Sequence, residues 1–445
     1  MAIIRKTILT VKEALESSLC VPDYQRPYKW LSSHVNQLLD DIILHREKSR
    51  YRFGTLVLYA PDAKGEREEI VDGQQRLLTL SLLCAVLDKS QQHCSPSLLN
   101  QIFNNPITLR NIEQNLKLIR QRIGQLPTDD LVQIYHYLLY ECELVCVTLD
   151  SLNEAFQFFD SQNARGKPLA TYDLLKAFHL REMNAENEET RFRCVKEWER
   201  GICPESTTRP RLDTIISKTL FPIRRWTQGK RGNSFTRSHL SEFKGISINQ
   251  SAWPYTQSLR LLNKLVDEFN NETSRQQDGE LMKFPFQIDQ PLLNGKRFFE
   301  YISYYTLIYE ELFYYQHSPV KSLLHIIASY PGTKRTGDGY IHNLFRCTLL
   351  YFYDRFGDSH IEKAAEIIFA WCYQLRLEYY SVREETIERA AQNRDGLLHR
   401  IKLAVHPDEV IKYVIPVINI NQIKGKKIDP LVEALSNKGY VRHDN

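Results

Sequence analysis

The stretch Ile70-Val71-Asp72-Gly73-Gln74-Gln75-Arg76 constrains this chain more than any other. An apolar strand pattern over Arg67 to Val71 runs into Asp-Gly and then into a helix carrying Leu77, Leu80, Leu83, Ala85 and Leu87. The first N–H groups of that helix have no intrahelical partner and sit at the positive end of its dipole. A phosphate satisfies both. Gly73 has no Cβ to keep the backbone away from a ligand. Arg76 can add a bidentate phosphate contact. Asp72 can cap the helix, bind Mg2+ or position a water. The same residues also describe a capped helix after a hairpin, with Arg76 paired to a surface carboxylate. The spacing alone does not separate the two readings.

Phe53 to Tyr59 reads as the strand that pairs with Arg67 to Val71, with a turn at Asp62 to Gly65. Leu144 to Leu149 reads as a short buried strand. Helices are expected over Leu109–Ile123, Asp129–Glu141 and Tyr172–Met183. Ser32 or Ser33 can cap a helix with Val35, Leu38, Leu39 and Ile42 on its inner face. Beyond residue 250 the pattern is helical: Ser258–Asn270, Lys296–Tyr315, Val320–Ser329, Tyr340–Arg355 and Ile361–Leu377. With 445 residues, more than one core is expected. The expected organisation is α+β. It comprises an N-terminal α/β domain over 1–217, a basic linker over 218–250 and a mainly helical domain over 251–445.

The net charge of +4 permits nucleic-acid binding without arguing for it. Positive charge is concentrated in Lys218 to Arg237, which has no acidic residue. Arg224, Arg225, Lys230 and Arg231 are its candidate DNA contacts, on a loop expected to be flexible around Gln228 to Asn233. The nine cysteines are scattered without zinc spacing and read as reduced, mostly buried thiols. No window approaches the roughly 18 continuous apolar residues of a membrane span, and no signal-peptide pattern opens the chain. A cytoplasmic protein is expected.

Two further segments bear on the strand–helix junction. Tyr24-Gln25-Arg26-Pro27-Tyr28-Lys29-Trp30 combines cations, an amide and aromatics, suited to stacking on a base or clamping a phosphate, or to filling a core. Phe159 to Leu169, followed by Tyr172 to Lys176, is a polar loop leading into a helix that Thr171 can cap. Asn163, Arg165, Lys167 and Lys176 make it another anion-friendly surface.

In order, YQRPYKW, FGTLVL, IVDGQQRLLTL and FDSQNARGKPLATYDLLKA resemble the DGQQR-type domain of unknown function 262. This is the ParB/sulfiredoxin-like N-terminal domain of GmrSD-type, modification-dependent restriction enzymes. The resemblance covers roughly residues 10 to 230 and rests on four segments in the right order. It implies a nucleotide-binding and hydrolysing domain in bacterial defence against phage DNA, using an NTP with Mg2+. The DGQQR segment points to Asp72, Gln75 and Arg76 as catalytic, with Asp72 as the metal ligand. Gln25, Arg26, Gly73, Gln74, Asn163, Gly166 and Lys176 are the nucleotide-binding positions it implies.

Members of that family usually add a C-terminal HNH-type nuclease. Here His406-Pro407-Asp408 is the nearest approach to one, and no apolar-Asp-His segment precedes it. The resulting expectation is a nucleoside triphosphatase that senses DNA and works with a separate nuclease or effector subunit. Homo-oligomerisation is left open. The alternatives are a non-catalytic nucleotide- or DNA-binding switch that scaffolds a partner, and, less favoured, nuclease activity in this chain centred on His406.

Overall fold

In a computed structural model of the chain, the described residues are 3–22, 25, 27–60, 67–88, 94–150, 155, 171–183, 186–202, 209–247, 253–272 and 281–442. They fall into two compact units, residues 1–170 and 171–445.

The first unit is built on a five-stranded mixed sheet in the order β1-β5-β3-β4-β2. The strands are β1 (Ile3–Thr10), β2 (Leu19–Cys20), β3 (Tyr51–Tyr59), β4 (Glu68–Asp72) and β5 (Cys142–Leu149). The expected hairpin partners, β3 and β4, are antiparallel, with Val57 opposite Asp72. β5 lies between β1 and β3, and all but one of its residues are buried. That explains the apolar run from Leu144 to Val147, because a strand covered on both faces needs apolar side chains on both.

Among the described residues, five α-helices accompany the sheet: α1 (Val11–Glu16), α2 (Ser32–His45), α3 (Gln74–Leu87), α4 (Pro106–Gly124) and α5 (Thr128–His136). Their buried faces join the strands in one core that includes Val35, Leu39, Leu56, Ile70, Leu78, Ile119 and Leu144. α2 buries Val35, Leu38, Leu39 and Ile42 as its spacing requires. Its N-cap is Leu31, not a serine, and the Leu31 N–H donates to His34 Nδ1 at 3.1 Å. The turn expected at Asp62 to Gly65 lies outside the described residues.

The second unit is mainly helical. Its longer helices are Thr171–Arg181, Glu188–Ile202, Thr256–Asn271, Lys296–Phe313, Thr336–Phe356 and Ile361–Glu378. The last two carry a buried ion pair, Arg376 Nη2 to Asp338 Oδ2 at 3.0 Å, and Tyr330 Oη donates to the same carboxylate at 2.6 Å. His179 is fully buried. Its Nε2–H donates to the Phe243 carbonyl at 3.0 Å, and its Nδ1 accepts from the Gly295 N–H at 3.2 Å.

The basic linker expected over 218–250 begins as helix. Thr214–Leu220 forms a π-helical turn that continues into a helix over Phe221–Thr227, and Leu220, Phe221, Ile223 and Trp226 are buried. Pro222 has no N–H to give the Lys218 carbonyl, four residues earlier. That carbonyl accepts instead from Asn343 Nδ2 at 2.8 Å. The anionic partner of the segment comes from outside it. Glu388 accepts from Trp226 Nε1 with both oxygens at 3.1 Å and from the Gly232 N–H at 3.0 Å. A window without acidic residues thus reads as a solvated loop although distant carboxylates hold it in place. Among the described residues, no helix is long and apolar enough to cross a membrane, and the eight described cysteines are buried and free.

Candidate functional site

The junction between β4 and α3 is as tight as the sequence suggests. Asp72 ends β4, Gly73 is the N-cap, and Gln74 begins the helix. Gly73 adopts φ 101°, a left-handed conformation that costs other residues roughly 1–2 kcal/mol. A Cβ there would also lie 2.9 Å from Leu56 Cδ1 on the neighbouring strand. Gly73, as the N-cap, has no side chain to offer the helix, and the first-turn N–H groups lie at the helix end.

Arg76 lies in the first turn of α3 and reaches back over β3. One of its Nη1–H bonds donates to the Thr55 carbonyl at 3.3 Å. The register between β3 and β5 shifts from Arg52 to Thr55, and within that bulge Gly54 has φ 103°. The guanidinium packs against Gly54, 3.6 Å from where a Cβ would sit. Burial lowers the pKa of Arg76, and the charges of Asp72 and Tyr51 oppose that shift. The result is a partly desolvated cation beside a carboxylate, with one hydrogen bond among the described residues for its five donors. Gly54 and Thr55 were not among the expected site residues. An isolated glycine inside a strand pattern was the available signal for a bulge.

The glutamines divide between structure and site. Gln75 is buried, and both ends of its amide are committed: Oε1 accepts from the Lys29 N–H at 2.7 Å and Nε2 donates to the Pro27 carbonyl at 3.2 Å. Gln25 Nε2 donates to the carbonyls of Ile70 and Val71 at 2.9 and 2.7 Å, at the end of β4. Asn111 and Asn115 on α4 donate to the carbonyls of Tyr28 and Trp30 at 2.7 and 2.8 Å. Tyr28 itself is fully buried, with its hydroxyl 2.7 Å from Thr79 Oγ1. Amide side chains therefore substitute for strand partners along 27–30. This segment has irregular backbone, and Pro27 lacks a donor. The structure thus places Gln75, expected to be catalytic, and Gln25, expected to bind nucleotide, as struts behind the junction.

Gln74 differs. It is 5% exposed, and its Oε1 has no hydrogen-bond partner among the described residues.

Lys176 lies in the second unit, buried, with Nζ donating to Glu199 Oε1 at 2.7 Å. Arg26, Asn163 and Gly166 lie outside the described residues. Of the expected DNA contacts, Arg224 is buried and donates to the carbonyls of Glu242, Ile288 and Gln290. Arg225 pairs with Glu242 at 2.9 Å. Lys230 and Arg231 are exposed. The four do not form one open basic surface.

Mg2+ commonly takes one or two carboxylates, completed by phosphate oxygens and water. Asp72 fits as the single protein ligand of such a phosphate-borne ion. An all-protein cage does not fit, because no group of three or more His, Cys, Asp or Glu comes together among the described residues.

No curated protein matches the chain. Residues 8–180 match the N-terminal domain of GmrSD restriction endonucleases, which encloses the whole β3–β4–α3 junction. Residues 190–430 match DUF7834, a family of unknown function. That second match covers more than half of the chain, which therefore belongs to the DUF7834 family and carries ahead of it a GmrSD-type N-terminal domain.

Proposed function

We propose that the chain is the nucleotide-binding, NTP-hydrolysing component of a restriction-type defence system. One observation carries this reading: a helix start whose N-cap is the left-handed Gly73, flanked by Asp72 and by Arg76 held desolvated over Gly54. Helix N–H groups and a guanidinium with unused donors suit a polyphosphate. Low local polarity strengthens both, because water competes less for the charges. Mg2+ carried by the phosphates would be held by Asp72 and would neutralise charge that develops on the phosphoryl oxygens. The restriction-enzyme context supports DNA as the sensed partner, met in part by exposed Lys230 and Arg231, and a separate nuclease or effector subunit as the output.

Purified protein should release phosphate from an NTP. Asp72→Ala or Arg76→Ala should each lower turnover at least about tenfold, as loss of a charged transition-state contact does. Wild-type turnover in both variants sinks the assignment. The commitment of Gln25 and Gln75 to backbone struts favours a second reading, a switch that binds nucleotide without hydrolysing it. Tight calorimetric binding with no phosphate release, with and without DNA, would select it.

A further inference from the structure

We infer that Gln74, and not Gln75, is the amide that orients the attacking water. This rests on the hydrolase reading above and assigns a role within the same site.

Buried polar atoms in folded proteins are almost always hydrogen-bonded, and an orphan calls for a water, an ion or a ligand. Among the described residues, Gln74 Oε1 is such an orphan, in a side chain that is 95% withdrawn from solvent. Its position indicates what it serves. Gln74 is the first residue of α3. Helical side chains lean toward the N-terminus of their helix, so its amide leans past the helix start, toward the side on which Asp72 and the first-turn N–H groups lie. An acceptor there has no use for a phosphate oxygen, which is also an acceptor. It suits a water O–H. The neighbouring glutamine cannot take this role without releasing Lys29 and Pro27.

In the step this implies, the water oxygen forms a bond to the terminal phosphorus while one of its O–H groups donates to Gln74 Oε1. The bond from phosphorus to the bridging oxygen breaks, and its electrons leave with the nucleoside diphosphate. The water's protons end on inorganic phosphate and solvent. Gln74 accepts a hydrogen bond and never the proton, so its contribution is orientation.

The test compares wild type, Gln74→Leu and Gln75→Leu in NTP hydrolysis, nucleotide affinity and thermal unfolding. Leucine nearly matches glutamine in volume and removes the buried orphan. Gln74→Leu is therefore expected to keep or raise the melting temperature while kcat falls at least about tenfold with little change in nucleotide affinity. Gln75→Leu is expected to lower the melting temperature. A Gln74→Leu enzyme within twofold of wild-type kcat overturns the assignment of Gln74 and leaves the hydrolase reading standing. Absence of turnover in wild type overturns both. A fall in kcat accompanied by an equal loss of thermal stability in Gln74→Leu also overturns it, since that pattern marks a purely structural side chain.

Discussion

Lys29 and Gln75 meet across 46 residues of sequence, the Lys29 N–H donating to Gln75 Oε1 at 2.7 Å. The other end of the same amide holds the Pro27 carbonyl. Replacing Gln75 with alanine strands one buried and one part-buried backbone group, at roughly 1–3 kcal/mol for each group left unsatisfied. We expect a loss of about 2–4 kcal/mol in urea denaturation. A loss under about 0.5 kcal/mol, the level of a neutral surface change, would show that the strut is dispensable.

Gly73→Ala meets two obstacles. Its φ of 101° disfavours any side chain, and the new Cβ falls 2.9 Å from Leu56 Cδ1. Strain and overpacking together predict a destabilisation of about 2–4 kcal/mol. Gly54→Ala shares the strain, at φ 103°, but its Cβ would be in ordinary contact with Arg76. It should cost less than Gly73→Ala in the same thermal melt, and the reverse order would contradict the geometry.

Asp338 and Arg376 are almost wholly withdrawn from water and lie 3.0 Å apart. Removing one partner of such a pair leaves an uncompensated charge, which typically costs about 3–5 kcal/mol. Asp338→Ala should therefore unfold the second unit at markedly lower denaturant. Recovery of stability in an Asp338→Leu, Arg376→Met double variant would indicate that packing can replace the charges; its failure would tie the pair to the Tyr330 hydroxyl, which also donates to Asp338.

Burial pushes His179 from its ordinary 6.5 down to about 3. The unfolded chain therefore binds a proton that the folded chain refuses, and stability rises with pH across that interval. The contribution is fully present above about 6.5 and is lost progressively as pH falls toward 3. His342, lowered to about 4, acts in the same direction. The hydrogen-bond geometry at His179 agrees with that burial. A second ring proton would go on Nδ1, which already faces the Gly295 N–H. His179→Gln, which keeps one donor and one acceptor, should flatten the stability profile between pH 4 and 6.5. An unchanged slope would exclude His179 as its source.

Arg224 and Lys230 should separate stability from DNA affinity. Arg224→Ala removes bonds from a buried guanidinium to three carbonyls and should lower the melting temperature. Lys230→Ala with Arg231→Ala should leave the melt nearly unchanged. If the turn meets DNA, every phosphate that the double variant no longer neutralises should reduce the slope of log affinity against log salt by about 0.9. Fluorescence anisotropy with duplex DNA at several salt concentrations gives that slope; equal slopes for the double variant and wild type remove this turn from any DNA interface.

The strand–helix junction was legible because its chemistry is local. Glycine, an acidic strand end and a leucine-rich helix are consecutive, and each dictates its neighbour's geometry. The periodicities that placed α2, β5 and most helices of the second unit are local too. What the sequence did not disclose was where side-chain amides direct their hydrogen bonds. Gln74 and Gln75 are adjacent and chemically identical, yet one holds a proline segment and the other ends without a partner among the described residues. The basic window misled for the same reason. Its cations looked unopposed because Glu242, which pairs with Arg225, lies outside it, and Arg224 finds carbonyls instead of phosphates.

Glu388 also sets an order of events during synthesis. Trp226 and Gly232 emerge from the ribosome about 160 residues before the carboxylate that receives their N–H groups. Until then the indole and the turn after it have no anchor, and the apolar face of Phe221–Thr227 lacks the helix Glu384–Gln392 that completes its burial. The second unit is therefore committed to closing late, after most of its chain has been made. Shortened chains that stop before residue 388 should emerge as substrates for chaperones and proteases rather than as smaller folded versions of the same unit.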